Sequence, residues 1–194
     1  MNIAGKRCQI FDDARRGIGK RLLFYGLIAW TVAGLPACRP PVDYQNVRVS
    51  YVYDGDTVQL ENGEKLRLIG IDSPEAYPSD KLRRDARRSG LSDELIMRQG
   101  KKASAFTRDL VSGKMVRLEF DIERRDKYGR LLGYVYLDED TMLNAVIIQA
   151  GYARPMPIPP NVRYADEFDR LYQEARSAGS GLWQSPSLAE AVFY

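Results

Sequence analysis

The dipeptide Asn62-Gly63 stands between two runs of alternating apolar and polar residues, an arrangement that directs this stretch into an antiparallel hairpin. Asn and Gly accept the left-handed backbone that a two-residue turn needs, so the expected pairing is Glu61 with Glu64, Val58 with Arg67 and Asp56 with Ile69. The hairpin strands run from about Asp56 to Leu60 and from Lys65 to Ile71. Ahead of them, Val47, Val49, Tyr51 and Tyr53 share one face of a first strand, with Arg48, Ser50 and Val52 on the other. Lys114 to Asp121 and Arg130 to Leu137 read as two further strands.

Helical spacing marks the remainder. Ala103, Phe106, Leu110 and Val111 recur on one helix face, and Leu143, Val146, Ile147 and Ala150 on a second, with Thr141 as its cap and Gly151 as its end. Tyr164, Phe168, Leu171, Tyr172 and Ala175 form the stripe of a third that stops near Gly179. Pro155, Pro157, Pro159 and Pro160 forbid helix between the last two and read as a stiff connecting loop. Five short strands with about three helices predict an α+β fold, a five-stranded barrel of the oligonucleotide/oligosaccharide-binding (OB) type with helical additions.

The front of the chain follows a different pattern. Lys20 and Arg21 precede an apolar run from Leu22 to Ala37, which ends at Ala37-Cys38-Arg39-Pro40. The run is shorter than the roughly 20 residues of a spanning helix, so residues 1–38 are expected to be a signal peptide. Leu35-Pro36-Ala37-Cys38 resembles the bacterial lipobox, although Pro36 departs from the small or β-branched residue usual there. Cleavage there makes the protein exported, either membrane-anchored through a lipid on Cys38 in the cell envelope or secreted with Cys38 as a bystander. Residues 39–44 then form a linker, 45–185 the folded domain and 186–194 a C-terminal tail.

Charge argues in the same direction. Residues 1–38 carry six Lys or Arg and two Asp or Glu, which leaves 23 basic and 24 acidic residues on the remainder. The net charge of +3 therefore belongs to the targeting segment and says nothing about nucleic-acid binding by the domain. With Cys8 and Cys38 both assigned to the front, the domain has no disulfide. The chain has no histidine, which excludes imidazole acid-base pairs, Ser-His-Asp triads and most zinc sites.

The chemistry left to a hydrolase is carboxylate, guanidinium and hard metal. Asp54-Gly55-Asp56-Thr57 precedes Arg67, and the next strand exits at Asp72-Ser73-Pro74-Glu75. An isolated Asp-Gly is only a turn, and a carboxylate beside an arginine is only a cross-strand ion pair. Here the hairpin places Asp56 diagonally across from Arg67, and the bend at Ser73-Pro74 presents Glu75 at the same barrel end. Clustered carboxylates repel one another, so a divalent cation is the economical explanation; oxygen-only ligation suits calcium or magnesium. Arg130, in Asp126-Lys127-Tyr128-Gly129-Arg130, is a second guanidinium that can fork onto a phosphate with Arg67.

These segments resemble staphylococcal (micrococcal) nuclease and its thermonuclease family. The resemblance rests on Asp54 to Thr57, on Leu66-Arg67-Leu68 through Asp72-Ser73-Pro74-Glu75, and on Asp126 to Arg130 followed by Tyr134-Val135-Tyr136. It spans roughly residues 45 to 185. It implies a calcium-dependent endonuclease acting on DNA and RNA and leaving 3′-phosphates and 5′-hydroxyls. Asp56, Asp72 and the Ser73 carbonyl are then the Ca2+ ligands, and Glu75 orients or deprotonates the attacking water. Arg67 and Arg130 hold the scissile phosphate, while Lys127 and Tyr128 match residues that contact a terminal phosphate. Arg154 to Pro160 departs from the pattern, because the family's best-known member carries a nucleotide-packing tyrosine pair there, whereas here no tyrosine occurs from Arg154 until Tyr164.

Lys81 to Lys102 carries eight Lys or Arg against three Asp or Glu, either a guide for polyanion backbones or an ordinary solvated surface. Set against the enzyme are a non-catalytic OB-fold nucleic-acid-binding envelope lipoprotein and an envelope lipoprotein with a structural role. The joint presence of Asp56, Arg67, Asp72, Glu75 and Arg130 favours the enzyme. No obligate protein partner is expected.

Overall fold

In the computed structural model, which describes residues 42–193, the five expected strands close into a barrel. Its strands are β1 (Val47–Val52), β2 (Thr57–Leu60), β3 (Lys65–Leu68), β5 (Met115–Glu119) and β6 (Leu131–Tyr136), in the closed order β1-β2-β3-β6-β5. The β3–β6 contact is parallel and the others are antiparallel. Val49, Val58, Leu60, Leu66, Leu68, Leu118 and Val135 are buried in the core. The expected signal peptide at residues 1–38 and the start of the expected linker lie outside the described residues.

Two local expectations change. Alternation along β1 breaks at a bulge between Val49 and Tyr51, so Val52 turns inward and Tyr51 outward. The hairpin loop has three residues rather than two: Gly63 N donates to Leu60 O and Leu60 N to Glu64 O, both at 2.9 Å. Gly63 adopts the left-handed conformation that ends such a loop. The register therefore slips by one, pairing Thr57 with Arg67 and Val58 with Leu66.

The third strand is broken. Gly70, at φ 79°, separates β3 from β4 (Gly70–Asp72), and a Cβ there would lie 2.6 Å from the Phe168 ring. Only glycine meets both conditions. A buried asparagine satisfies backbone at the break: Asn144 Nδ2 donates to Ile69 O at 2.9 Å, while its Oδ1 accepts from Val135 N at 3.0 Å. β4 pairs instead with β7 (Arg154–Met156), opposing Asp72 to Arg154. The stretch expected as a proline-stiffened loop thus begins as a short edge strand, where Pro155 is tolerated because its missing donor is not needed.

Among the described residues, five α-helices pack around the barrel: α1 (Asp80–Ser89), α2 (Asp93–Val111), α3 (Leu143–Gln149), α4 (Ala165–Ala178) and α5 (Pro186–Phe193). Three match the periodicities in the sequence, and α4 ends as expected at left-handed Gly179. Met142, not Thr141, occupies the N-cap of α3. The basic stretch supplies α1, and the expected tail supplies α5, which buries Phe193 5.6 Å from Trp183 between ring centroids. Tyr44, assigned to the linker, belongs to the body: it packs edge-on against Phe120 and donates to Glu64 Oε2 at 2.6 Å.

Candidate active site

The Asp54-Gly55-Asp56 turn and the start of β4 deliver their carboxylates to one side of Arg67. Arg67 Nη1 lies 2.5 Å from Asp56 Oδ1, and Nη2 is 3.4 Å from Asp72 Oδ1. Backbone carbonyls share the same guanidinium: Nη2 donates to Ile71 O at 2.9 Å and Nη1 to Leu68 O at 3.3 Å. The Asp56–Arg67 proximity expected from the hairpin is therefore real, although the register producing it is different. Asp56 Oδ2 accepts from Ser73 N at 2.8 Å and Ser73 Oγ at 3.1 Å, which ties the two acidic segments together.

A second cation sits on the outer side. Lys81, in the first turn of α1, places Nζ 3.3 Å from Asp72 Oδ1, 3.3 Å from Glu75 Oε1 and 3.4 Å from Asp85 Oδ2, and donates to the Ser73 carbonyl at 3.1 Å. Glu75 Oε2 accepts from Ser79 Oγ at 2.9 Å. The backbone of Glu75 lies hard against α2, where a Cβ on Gly100 would come within 2.2 Å of the Glu75 carbonyl, so that residue must be glycine for the helix to approach. On the remaining side, Arg154 Nη2 is 3.2 Å from Asp72 Oδ2.

Ionisation follows from this packing. Burial opposes the charge on Asp56, but Arg67, the Ser73 amide and Lys81 outweigh it and hold its carboxyl below the usual range. Asp54 goes the other way: burial, reinforced by the neighbouring Asp56 charge, pushes it up to about 8. Burial likewise disfavours the charged forms of Arg67 and Lys81, yet the surrounding carboxylates prevail and raise both.

Arg130 approaches from another part of the barrel. Its Nε is 2.7 Å from Asp126 Oδ2, and Asp126 Oδ1 also accepts the Arg130 and Tyr128 amides at 2.9 Å each. Arg67, Lys127, Tyr128 and Arg130 line one cavity of about 460 Å³, with Met156 and Ile158 on its apolar wall. Tyr128 is 73% exposed at the rim. The structure thus brings Asp56, Arg67, Asp72, Ser73 and Glu75 into one ion-pair network, and Arg130, Lys127 and Tyr128 to the cavity that Arg67 shares.

Comparison with known proteins agrees with this geometry. The family profile described as "Staphylococcal nuclease homologue" matches residues 65–185. The thermonuclease of Staphylococcus intermedius is 34% identical over 139 residues, covering 70% of this chain and 74% of that protein. Endonuclease YncB of Bacillus subtilis is 33% identical over 156 residues, covering 78% and 67%. The chain belongs to the staphylococcal nuclease family. It is a nuclease, a hydrolase of phosphodiester bonds, and its barrel with added helices is the fold expected from the resemblance.

Within this nuclease, no three His, Cys, Asp or Glu side chains gather as a metal-holding group among the described residues. Asp56 has both oxygens engaged by Ser73, Thr57 and Arg67. What does converge is a mixed oxygen set, Asp72 Oδ1, the Ser73 carbonyl and Glu75 Oε1, around the Lys81 ammonium. Hard oxygen donors already wrapped about a cation fit calcium or magnesium.

Three residues at the site went unassigned from sequence. Asp54 was visible in its motif but its neutral form depends on burial. Lys81 looked like one of several surface cations. Arg154 carried no local signal, since its partner Asp72 lies 82 positions away. Tyr164 does not replace the missing tyrosine pair, because its hydroxyl accepts or donates within a cluster with Tyr136 at 3.1 Å and Glu119 at 2.9 Å.

Proposed function

We propose that this nuclease is exported and uses calcium to hydrolyse DNA and RNA, leaving 3′-phosphates and 5′-hydroxyls. The observation that carries this reading is the set of oxygens from Asp72, Ser73 and Glu75 converging on one cationic atom beside the Asp56–Arg67 pair. Asp72 and the Ser73 carbonyl would hold the ion, joined by Asp56 once its contact with Ser73 or Thr57 loosens. Bound there, calcium supplies positive charge to a phosphate oxygen and a coordination position for water.

The chain's own groups do the rest. Arg67 and Arg130 flank the shared cavity and donate to the non-bridging oxygens, neutralising charge as a fifth oxygen reaches phosphorus. Glu75 takes up the proton of the attacking water, the bond from phosphorus to the 5′ oxygen breaks, and that oxygen acquires a proton from solvent. Lys127 and Tyr128, at the cavity rim, contact a terminal phosphate. The exposed Arg83, Arg84, Arg87 and Arg88 on α1 draw the polyanion inward. A combined charge-removal variant of these four residues should flatten the salt dependence of cleavage; an unchanged slope rejects that guidance.

Digestion of DNA and RNA by the purified protein, with and without a calcium-selective chelator, tests the catalytic reading. Full activity in the chelator would reject calcium, and end-group analysis showing 5′-phosphates would reject the product assignment. Export is argued from the basic-then-apolar layout of residues 1–38 and their end at Ala37-Cys38. Mass spectrometry of the mature N-terminus distinguishes a lipid-modified Cys38 from ordinary cleavage; an intact Met1 start in the cytoplasmic fraction overturns export.

A further inference from the structure

Lys81 occupies an unusual position for a residue in a basic surface stretch. Its ammonium has three hydrogens, and four oxygens surround it within 3.4 Å: Asp72 Oδ1, Glu75 Oε1, Asp85 Oδ2 and the Ser73 carbonyl. Its side chain is only 29% exposed. The helix start holds it there. Ser79 Oγ accepts from Leu82 N at 2.9 Å and donates to Glu75 Oε2 at 2.9 Å, so the cap of α1 and the acid are joined through one hydroxyl.

The other two cations at the cluster are held differently. Arg67 is gripped by the carbonyls of Leu68 and Ile71 as well as by Asp56, and Arg154 addresses the opposite oxygen of Asp72. Lys81 alone of these three touches Ser73 O, Asp72 Oδ1 and Glu75 together. It also has a place to go: Asp85, one turn further along the same helix, already lies 3.4 Å away. A divalent ion and an ammonium cannot share the same oxygens at ligand distance, because their mutual repulsion would be unscreened in so enclosed a place.

We propose that Lys81 is an internal competitor for the calcium site: its ammonium balances the carboxylates of the metal-free protein, must withdraw toward Asp85 for calcium to enter, and thereby sets the calcium concentration at which the nuclease loads. This rests on the calcium reading of the same site. Until that exchange occurs, the ammonium also engages the Glu75 oxygen that is needed as base, so metal loading and release of the base are one event.

Isothermal titration calorimetry of the chelator-stripped full chain with calcium chloride tests the idea without reference to turnover. Lys81→Met should bind calcium about tenfold more tightly than the wild type, within the usual range of coupling between two sites. Arg84→Met removes the same charge from an exposed position of the same helix and should change affinity by less than about twofold, because solvent screens it. In the absence of metal, Lys81→Met should melt below the wild type, with saturating calcium narrowing the gap. Should the apolar side chain prevent folding, Lys81→Gln, which keeps a donor for the Ser73 carbonyl, provides the same comparison.

Equal affinity in wild type and Lys81→Met, weaker binding in Lys81→Met, or an equal gain in Arg84→Met would each overturn the competitor role while leaving calcium binding intact. Failure of both the wild type and Lys81→Met to take up calcium, or binding undiminished by Asp72→Asn, would instead remove the calcium site itself, and the competitor role with it.

Discussion

Arg67 and Arg130 face the same cavity but are supported in opposite ways. Arg67 is nearly buried and distributes its two Nη groups over five protein acceptors: both Asp56 Oδ1 and its carbonyl, the carbonyls of Leu68 and Ile71, and Asp72 Oδ1. Arg130 is about one-third exposed and its side chain leans on a single carboxylate, Asp126. One guanidinium is part of the architecture that holds β2, β3 and β4 in place, while the other is presented by a turn. A phosphate bound between them would meet one guanidinium fixed by the fold and one free to adjust.

That contrast predicts different costs for the two arginines. Arg67→Ala should lower turnover by about 10²-fold or more. It should also destabilise the fold by about 3–5 kcal/mol, because Asp56 would remain buried without its counter-charge. Arg130→Ala should lose a comparable factor in turnover with stability changed by less than about 1 kcal/mol, as befits a partly exposed pair. Urea denaturation beside single-turnover kinetics measures both quantities; similar stability losses in the two variants would erase the distinction. Glu75→Gln belongs with Arg130 by this criterion, losing about 10²-fold in turnover while its Ser79 contact keeps the loop in place. Near-normal activity in all three variants would reject the catalytic assignment.

The fixed side has a second support that can be removed alone. Asn144→Leu leaves the Ile69 carbonyl and the Val135 amide without partners inside the fold, for a loss of about 1–3 kcal/mol. Hydrogen exchange should locate the added opening at the β3–β4 break; protection unchanged there would mean the asparagine is not what holds the break.

Asp54 sharpens the comparison through pH. Its folded pKa of about 8 lies above its ordinary 3.8, so between these values the folded chain keeps a proton that the unfolded chain has released. Stability in that window therefore falls as pH rises. Asp54→Asn removes the dependence, and its gain in melting temperature over the metal-free wild type should be smallest near pH 4 and largest near pH 9. A gain independent of pH would show that Asp54 is not held neutral. The smallest effect is expected at the rim, where Tyr128→Ala should raise KM a few-fold and leave the melting temperature within about 2 °C, as for an exposed contact.

Much of the site was readable because its residues are close in sequence or carried on one hairpin. Asp56 and Arg67 meet whether the turn has two residues or three, since a long guanidinium spans the one-position slip. Asp72, Ser73 and Glu75 follow within a few residues of the strand end and stay together for that reason. The helix from Ala165 to Ala178 was legible from its stripe and its terminal glycine. By contrast, the Asp72–Arg154 pair and the packing of α1 against α5 depend on contacts between distant segments, for which local periodicity holds no information.

The order of apolar and polar residues determined by itself that this chain would form a barrel with its acidic and guanidinium groups at one end, because strand and helix periods are local consequences of backbone geometry. Tertiary structure alone decided which oxygens face which cation. Gly70 breaks the third strand so that β4 can reach β7, and α1 returns Lys81 onto Asp72 and Glu75. Ionic contacts of this kind are set by distances of a few ångströms between groups far apart in the chain, and only packing fixes those.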